Sequence, residues 1–327
     1  MSKSGEFAFI AQRLAPLSRG APGAAGLRDD GALIDLDPGE TLAVTADTLI
    51  EGRHFPDRCD PELAAQKALR VNLSDLAAMG ARPFGYVLNI IWPAGAMETR
   101  AEGFVEGLAA DQTRFGVRLI GGDTTSGPGP WSLSITAFGR RPAGLSLRRS
   151  AARPGDALVA TGVIGDAHLG LKSLSGELVG VDAAARAQLE RRSLSPWPRL
   201  EALAAVRAHA RAVIDVSDGV LADARHLAEE SHLRLELDLE ALPVSKAAGM
   251  WLGAQAEPQA AWLELAGGGD DYELLIAAPD PNALIAALAR VDIPACVIGR
   301  FTDDEAGVDV RFKGRSLQPE RWGFTHF

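Results

Sequence analysis

Five short segments of the chain carry aspartates beside glycine, serine, asparagine or threonine. They are Arg28-Asp29-Asp30-Gly31, Thr45-Ala46-Asp47-Thr48, Asn72-Leu73-Ser74-Asp75-Leu76, Gly121-Gly122-Asp123-Thr124-Thr125 and Asp215-Val216-Ser217-Asp218-Gly219. Carboxylates that lie close together repel one another and raise each other's pKa unless a cation compensates them. Mg²⁺ prefers oxygen ligands and often joins carboxylates to substrate phosphates. If the five segments converge, they predict a Mg-nucleotide site for phosphoryl transfer.

Four of these segments follow or lie inside apolar runs that are typical of strands, and the fifth, around Asp75, opens an Ala/Leu-rich helix. Taken alone, each aspartate is equally explained as a helix cap or a turn residue, because the backbone favours aspartate at both places. Five segments together, with Gly-Gly-Asp and Ser-Asp-Gly among them, favour one shared metal site over unrelated caps.

Length and composition limit the possible function classes. The chain has 327 residues, which exceeds the size at which one core usually keeps growing, so two domains are expected. Hydrophobic residues make up 47% and charged residues 23%, as in an ordinary soluble protein. The formal net charge of -10 argues against a nucleic-acid partner, which would require a basic surface, but it is compatible with a nucleotide ligand.

Cysteine usage and the N-terminus bear on where the protein works. Cys59 and Cys296 are far apart and not spaced as metal ligands, which favours a reducing compartment without a disulfide framework. The first six residues lack an apolar signal core, and no run of about 18 apolar residues occurs in the chain. We therefore expect a cytoplasmic protein without a membrane partner.

The hydrophobic pattern predicts alternating strands and helices, which is typical of an α/β or α+β fold. Strands are predicted at 31–36, 41–48, 84–91, 117–120, 131–140, 157–161, 213–215, 233–239, 274–278 and 296–301. Helices are predicted at 6–17, 61–79, 99–115, 183–193, 200–208 and 220–230, with another following Asp166. The strands at 31–36 and 41–48 are expected to pair around the turn Pro38-Gly39.

Common nucleotide-binding motifs are absent from the sequence. It contains no Gly-x-x-x-x-Gly-Lys-Ser/Thr loop, no kinase catalytic loop and no dinucleotide-binding glycine pattern. The segment Gly162-Val163-Ile164-Gly165-Asp166 is compatible with a phosphate cradle at a helix start, although a tight strand-to-helix connection is its commoner use. A phosphoryl transferase with this sequence must therefore use another fold.

Several longer motifs occur in a fixed order along the chain. They are Asp29-Asp30-Gly31-Ala32, 48–55 with His54, 71–81, 121–125, Arg149-Ser150 before Pro154-Gly155-Asp156, 215–219 and Asp271-Tyr272-Glu273-Leu274. In this order they resemble the thiamine-monophosphate kinase family of the aminoimidazole-ribonucleotide-synthetase-like ATP-binding superfamily. The segments 72–81 and 217–219 are typical of the superfamily, whereas His54, 269–273 and the tail 322–327 are typical of the kinases. The likeness covers nearly the whole chain.

The resemblance implies a two-domain α/β (α+β) fold of the aminoimidazole-ribonucleotide-synthetase-like type. Residues 1–150 would form an N-terminal ATP- and Mg-binding domain whose strands enter a dimer barrel with a second subunit. Residues 151–327 would form a C-terminal α/β domain that closes the active-site cleft. The resemblance also implies a homodimer that uses several Mg²⁺ ions and transfers a phosphoryl group in line from ATP to thiamine monophosphate, giving thiamine diphosphate.

Three sets of functional residues are implied by the resemblance. The family's metal ligands correspond to Asp29, Thr45, Ala46, Asp47, Asp75, Asp123, Asp215 and Asp218. Its nucleotide contacts correspond to Gly122, Asp123, Arg149, Ser217 and Phe115. Its thiamine-phosphate contacts correspond to His54, Asp270 and Phe324.

These roles agree with the chemistry of phosphoryl transfer, which requires alignment and charge neutralisation more than covalent steps. Mg²⁺ ions would stabilise charge on the transferring group, and Arg149 would offer a fork of donors to phosphate oxygens. We assign no general base, because a phosphate-oxygen nucleophile is already ionised near neutral pH. Without the resemblance, Arg149 and His54 would be ordinary loop residues and Phe324 a packing residue.

The sequence departs from the family pattern at four positions. Arg28 replaces a glycine before the Asp-Asp pair, and Phe115 replaces a tyrosine beside the nucleotide base. Ala46 replaces a threonine that assists the metal, so a backbone carbonyl or a water would supply the oxygen that the threonine provides in the family. Asp270 replaces a glutamate and is one methylene shorter, which makes an indirect contact with the substrate the expectation. All the family's aspartates are retained.

Two other function classes stay open at this point. One is a superfamily enzyme with a different acceptor: selenophosphate synthetases need a reactive residue in a Gly-rich N-terminal loop, hydrogenase-maturation relatives end in cysteine, and aminoimidazole-ribonucleotide synthetases fit the N-terminal region less well. The other is a Mg-nucleotide-binding regulator without turnover. The full aspartate set argues against the regulator, because a pure binder needs fewer metal ligands.

Overall fold

The computed structural model describes residues 8–324 and contains two β-sheets, each with its own helices. The chain divides into two compact units, Met1–Leu76 with Ala81–Ala143 and Ala77–Gly80 with Gly144–Phe327. The prediction of a mixed α/β fold is confirmed. The boundary between residues 150 and 151 stays a prediction.

The first unit starts with short helical turns and continues as an alternation of strands and helices. The turns are a π-helical turn, Ile10–Leu14, and two 3₁₀ turns, Ala15–Ser18 and Pro22–Leu27. The regular elements are β1 (Glu40–Ile50), α1 (Pro61–Ala78), β2 (Arg82–Pro93), α2 (Met97–Phe115), β3 (Arg118–Gly127) and β4 (Ser132–Pro142). The described part of the predicted helix 6–17 is thus helical, but it is divided into a π-helical turn and a 3₁₀ turn.

The four strands of the first unit form one sheet in the order β1-β4-β2-β3. β2 and β3 run parallel, and the other neighbours are antiparallel. Alternate residues of β2, including Leu88, Ile90 and Trp92, are buried. Trp92 stacks on Trp131 with ring centroids 5.3 Å apart, and Phe104 of α2 packs edge-on against both rings. This aromatic cluster anchors α2 to one face of the sheet.

The predicted strand at 31–36 is wrong. The structure has no regular element there, and β1 pairs along its whole length with β4 instead. Leu33 is 84% exposed, and Leu36 is exposed as well. The apolar run was therefore misleading, because a strand requires a partner and a face to bury, and this segment has neither.

The second unit is built on a longer sheet, with ten interleaved helical segments among the described residues. Its strands are β5 (Ala157–Thr161), β6 (Ala212–Asp215), β7 (Arg234–Asp238), β8 (Leu274–Ala278), β9 (Ala295–Thr302), β10 (Gly307–Phe312) and β11 (Arg315–Leu317). Its α-helices are α3 (Asp166–Leu174), α4 (Ala183–Leu194), α5 (Leu203–His209), α6 (Val220–Glu230), α7 (Lys246–Gly253), α8 (Pro258–Gly267) and α9 (Pro281–Ala289). Three 3₁₀ turns complete it, Arg149–Ala151, Leu200–Ala202 and Leu239–Ala241.

This sheet has the order β11-β10-β7-β9-β5-β8-β6. Only β10 and β7 run parallel, whereas all other neighbours are antiparallel. Along β8, Leu275 and Ala277 belong to one hydrophobic cluster, while Leu274, Ile276 and Ala278 belong to another. Both faces of the central strands are therefore covered, which explains why β8 is an unbroken apolar run.

Most predicted elements of the second unit are confirmed, and 157–161 and 220–230 match to the residue. The prediction omitted α7, α8, α9, β10 and β11. In the part of the chain that the structure describes, no helix is long and apolar enough to cross a membrane.

Candidate active site

Strand alternation in β1 sets the geometry of the first candidate site. Thr45 and Asp47 are two residues apart and lie on one face of β1, whereas Ala46 lies exposed on the other. The Thr45 hydroxyl Oγ1 donates a hydrogen bond of 2.5 Å to Oδ2 of Asp75. Asp75 lies in the last turn of α1. The predicted helix 61–79 is therefore confirmed to within one residue, whereas the expectation that the Asp75 segment opens a helix is wrong.

The carboxyl groups of Asp47 and Asp75 face each other in this site. Burial, followed by the negative charge of Asp75 and a hydrogen bond between the two side chains, raises the pKa of Asp47 to about 7. Two carboxyl groups in such proximity share a proton readily, because neither can ionise without repelling the other. A cation bound here would remove that repulsion.

The donor set of this site suits a hard divalent cation. Thr45, Asp47 and Asp75 present only oxygen atoms, and Mg²⁺ is usually bound by one or two carboxylates that leave room for water and substrate phosphates. Within residues 8–324, no three His, Cys, Asp or Glu side chains lie close enough together to form a complete metal cage. The residues present therefore fit a Mg²⁺ ion that takes part of its coordination from a phosphate-bearing ligand.

In the second unit, backbone hydrogen bonds bring four of the predicted site residues together. β6 ends at Asp215, and the turn that follows carries Ser217 and Asp218. The backbone N–H of Asp270 donates to the carbonyl of Ser217 at 2.9 Å. The N–H of Phe324 donates to the carbonyl of Asp218 at 3.0 Å. The predicted nucleotide, metal and substrate contacts of this unit thus share one loop cluster.

Asp223, on α6, is a functional candidate that the sequence analysis missed. Its Oδ2 accepts hydrogen bonds of 3.1 Å from the backbone N–H groups of Asp218 and Gly219, and the residue is buried. Burial is the main cause that raises its pKa well above the ordinary value; the charges of Asp215 and Asp218 add to this. An acid in the first turn of a helix after Ser-Asp-Gly was the available signal, since N–H groups at a helix start bind carboxylates.

Arg149 is tied to the same part of the second unit. It opens the 3₁₀ turn Arg149–Ala151, and its carbonyl accepts a hydrogen bond of 2.8 Å from the hydroxyl of Ser231, directly after α6. Its positive charge lowers the pKa of Asp223, which opposes the stronger effect of burial. The exposed Arg149 side chain therefore lies within electrostatic reach of the Asp223 carboxyl group.

His54 has a defined hydrogen-bonding role in the first unit. Its Nδ1 accepts a hydrogen bond of 2.9 Å from the backbone N–H of Ile50, so the neutral ring carries its proton on Nε2. The histidine lies in the turn after β1 and is half-buried. The turn holds the imidazole in a fixed orientation beside the end of the strand that bears Asp47.

The other predicted residues lie before β1, on β3 and at the end of α2. Asp29 is exposed, and its Oδ1 accepts the N–H of Asp30 at 2.9 Å. Asp123 is exposed on β3, next to Gly122, where an added Cβ would lie 1.9 Å from the Leu88 carbonyl oxygen. Phe115 ends α2 and receives the Arg70 guanidinium over its ring at 5.7 Å.

Two family models match the chain. The AIR synthase related protein N-terminal domain matches residues 28–141, and the AIR synthase related protein C-terminal domain matches residues 153–311. Together they cover most of both units. The chain therefore has the two-domain architecture of the AIR synthase related proteins.

Comparison with individual proteins gives a narrower family. Thiamine-monophosphate kinase of Caulobacter vibrioides is 43% identical over 324 residues, which are 98% of this chain and 90% of the relative. The crystal structure of thiamine-monophosphate kinase from Stenotrophomonas maltophilia K279a has a TM-score of 0.80 and 38% identity over 93% of this chain and 94% of that one. The structure of AaThiL complexed with AMPPCP and TMP has a TM-score of 0.76 and 27% identity, covering 100% and 98%.

Proposed function

The chain belongs to the thiamine-monophosphate kinase family, and from this membership we propose that it transfers the terminal phosphoryl group of ATP to thiamine monophosphate, giving thiamine diphosphate. The observation that carries the proposal is the match, along the whole chain, to a relative complexed with AMPPCP, a non-hydrolysable ATP analogue, and with TMP. ATP is therefore the co-substrate, and thiamine monophosphate is the acceptor.

In the first unit, we propose Asp47 and Asp75 as Mg²⁺ ligands, with Thr45 as the neighbouring oxygen donor. The support is their shared site, where the charge of Asp75 raises the pKa of Asp47 and both carboxyl groups present oxygen atoms to the same place. A bound Mg²⁺ ion would supply charge neutralisation at phosphate oxygens. Ala46 is proposed to contribute through its backbone, since its methyl group lies on the opposite face of β1.

In the second unit, we propose that Asp215 and Asp218 bind further Mg²⁺ ions and that Ser217 and Arg149 contact the nucleotide. The turn after β6 presents Ser217 and Asp218 at the start of α6, where backbone N–H groups and the helix dipole favour anionic ligands. Arg149 would add a fork of donors for phosphate oxygens. These side chains neutralise and align charged groups, and no proton has to be removed from the acceptor.

For thiamine monophosphate, we propose contacts to Asp270, Phe324 and His54. The hydrogen bonds that join Asp270 to Ser217 and Phe324 to Asp218 support the first two, because they place an acid and an exposed aromatic ring on the same loop cluster. An aromatic ring and a carboxylate together suit a flat, cationic heterocycle. His54 would offer Nε2–H as a donor to an anionic oxygen.

The roles of four further residues stay proposals that depend on family membership. Asp29 and Asp123 are proposed as metal ligands, Gly122 and Asp123 as nucleotide contacts, and Phe115 as a contact of the nucleotide base. The close approach of Gly122 to the Leu88 carbonyl supports a backbone requirement at that position. The roles of 1–150 as the ATP-binding and dimerisation domain and of 151–327 as the second α/β domain are proposals of the same kind.

We also propose a homodimer and a cytoplasmic location. The face of the first sheet that carries Ala46 exposes Val44 and Ile91, at 56% and 45%, and a second copy of the chain is the proposed cover. Sedimentation analysis should show a particle of twice the chain mass. Both cysteines are free thiols, which suits a reducing compartment.

The direct test is chromatography of a reaction of the purified protein with ATP and thiamine monophosphate, with and without Mg²⁺. Thiamine diphosphate should form only with Mg²⁺ and should be lost in Asp75→Asn, which keeps the shape of the side chain but removes its charge. Absence of thiamine diphosphate despite intact binding of Mg-ATP would overturn the proposal and would indicate a superfamily member with another acceptor or a regulator without turnover.

A further inference from the structure

The segment that carries Asp270 has an unusual buried side. Asp270 and Tyr272 are half-buried, whereas the alternate residues Asp271 and Glu273 are both buried acids. Asp270 and Tyr272 also adopt positive φ angles of 68° and 51°. Non-glycine residues keep such conformations only where the surrounding structure imposes them. The contacts of the two buried acids therefore determine where Asp270 lies.

Glu273 is fully buried and is held by two arginines and a threonine. Arg199 binds both carboxylate oxygens, with Nε at 2.5 Å from Oε2 and Nη2 on Oε1. Arg192 donates from Nη2 to Oε1 at 3.0 Å, and the Thr161 hydroxyl donates to Oε2 at 2.8 Å. A carboxylate that is shielded from solvent needs several hydrogen-bond donors, because burying it unpaired is strongly unfavourable.

The packing around this carboxylate leaves no spare room. A Cβ on Gly162 would lie 2.0 Å from Oε1 of Glu273 and 2.4 Å from Nη2 of Arg199. The Thr161 hydroxyl also accepts the backbone N–H of Leu274 at 2.8 Å, so it fixes the strand that follows Glu273. The buried group is therefore rigidly joined to β5 and β8.

The other buried acid anchors the segment to a helix start. The carboxyl oxygens of Asp271 accept the backbone N–H groups of Gly165 at 2.8 Å and Ala167 at 3.3 Å. Burial raises the pKa of Asp271 to about 8, whereas these two hydrogen bonds act to lower it. Asp271 and Glu273 flank Tyr272 in the sequence, and both anchor the buried side of the segment.

Backbone hydrogen bonds carry this anchorage to the loop cluster. The N–H of Val216 donates to the carbonyl of Glu273 at 2.8 Å, and the N–H of Tyr272 donates back to Val216 at 2.8 Å. The next bond in the ladder joins Asp270 to Ser217, and a Cβ on Gly269 would lie 2.2 Å from the Ser217 carbonyl oxygen. A displacement of Glu273 would consequently move both Asp270 and Ser217.

We propose that Arg192 and Arg199 are positioning residues that act through Glu273 to hold Asp270 and Ser217 in place for thiamine monophosphate and the nucleotide. The inference rests on the proposed function, since it assumes that Asp270 and Ser217 contact the substrates. Neither arginine touches the substrates in this scheme. Their guanidinium groups set the position of the segment from its buried side.

The test is steady-state kinetics of the full chain with ATP and thiamine monophosphate, on Arg199→Gln, Arg192→Gln and Arg199→Lys. Arg311→Gln is the control, because Arg311 also bridges two acids, Glu236 and Asp309, at 2.7 Å each. Arg311 lies on β10, near the other edge of the sheet. Circular dichroism and thermal melting of each variant report the folded fraction.

For Arg199→Gln we expect a rise in KM for thiamine monophosphate and a fall in kcat/KM of about 10- to 100-fold, as for a displaced positioning group. Arg199→Lys should recover part of that loss, because it restores the charge but only one contact. Arg311→Gln should leave KM unchanged and should shift the melting temperature only slightly, because its ion pairs are partly exposed. Arg192→Gln keeps the Arg199–Glu273 ion pair, so it can be used as the test variant if Arg199→Gln does not fold.

Two results separate failure of this inference from failure of the proposed function. Wild-type protein that makes no thiamine diphosphate would contradict the proposed function itself. Active wild-type protein together with an unchanged KM in folded Arg192→Gln and Arg199→Gln would overturn the positioning role. A lower apparent kcat with an unchanged KM would show only a smaller folded fraction and would likewise overturn it.

Discussion

The hydroxyl of Thr45 donates a hydrogen bond of 2.5 Å to the carboxylate of Asp75, although the two residues lie 30 positions apart in the sequence. The bond joins the middle of β1 to the last turn of α1. It also orients the Asp75 oxygens relative to Asp47 on the same strand. The bond thus links the backbone geometry of β1 to the proposed metal site.

Thr45→Val should weaken Mg²⁺ binding by about tenfold, because the loss of an orienting hydrogen bond beside a metal ligand has effects of that size. Valine preserves the shape of the side chain and suits a strand. The apparent Mg²⁺ affinity, measured from the Mg²⁺ dependence of thiamine diphosphate formation, checks the prediction. Thr48→Val is the control, since Thr48 lies on the opposite face and bonds to the Ser134 hydroxyl at 2.9 Å. Equal effects of both changes would contradict the prediction.

The pKa of Asp47, raised to about 7 mainly by burial and then by Asp75, predicts a pH dependence of the metal-free protein. Because the folded-state pKa lies above the unfolded value, stability contributed by the protonated group is lost as pH rises from about 4 through about 7. Mg²⁺ requires the ionised form, so its binding should strengthen over the same interval. The increase in melting temperature caused by Mg²⁺ should therefore be larger at pH 8 than at pH 6.

Asp47→Asn removes the titrating group and is the variant that tests this interpretation. Its melting temperature without Mg²⁺ should vary less between pH 6 and pH 8 than that of the wild type. If the variant keeps the full pH dependence of the Mg²⁺ effect, another group is responsible. Differential scanning calorimetry with and without Mg²⁺ provides both comparisons.

Local patterns predicted the elements that are fixed by short-range rules. β8 was predicted to the residue because both its faces are buried and the run is wholly apolar. The segment 31–36 shows the limit of the same rule, since an apolar run forms a strand only where a neighbouring strand is available. α7 was omitted although Ser245 caps it, with its hydroxyl accepting the N–H of Ala248 at 3.0 Å. That helix has eight residues, too few for a clear helical period.

The candidate site likewise has residues that local sequence patterns predicted and residues that they did not. The strand 41–48 was predicted, and its alternation explains why Thr45 and Asp47 share one face of β1 in the structure. Asp223 and Glu273 were missed because a buried acid is recognised by its partners, which are distant in sequence. Arg192 and Arg199 precede Glu273 by more than 70 residues. Only the tertiary structure shows that the acids of 270–273 face opposite sides.

Asp223→Ala should lower the free energy of unfolding by about 2 kcal/mol or more, because it leaves the N–H groups of Asp218 and Gly219 without their buried acceptor. It should also weaken ATP binding, since the turn that bears Ser217 loses its support. Urea unfolding and nucleotide titration measure the two effects. Asp223→Asn keeps one acceptor oxygen, so its free energy of unfolding and its ATP affinity should lie between those of Asp223→Ala and the wild type.

Asp182→Ala is the control for loss of a helix-start acceptor away from the site. The Asp182 carboxylate caps α4 by accepting the N–H of Ala185 at 2.8 Å. Its removal should cost about 1 kcal/mol, the usual value of an N-cap. ATP affinity should stay unchanged. Weaker ATP binding in this variant would show that general destabilisation explains the Asp223 result.

The buried ion pair of Arg70 on α1 and Asp111 on α2 allows a double-mutant test in the first unit. Arg70 binds both Asp111 oxygens at 2.7 and 2.8 Å, and both side chains are buried. Arg70→Met should lower the free energy of unfolding by about 3–5 kcal/mol, because it leaves the Asp111 carboxylate buried without its ion-pair partner. Arg70→Met with Asp111→Leu should recover most of that loss, since apolar side chains of similar volume often replace a buried pair without penalty. Urea unfolding of both singles and the double gives the coupling energy, and a double variant no more stable than Arg70→Met would contradict the prediction.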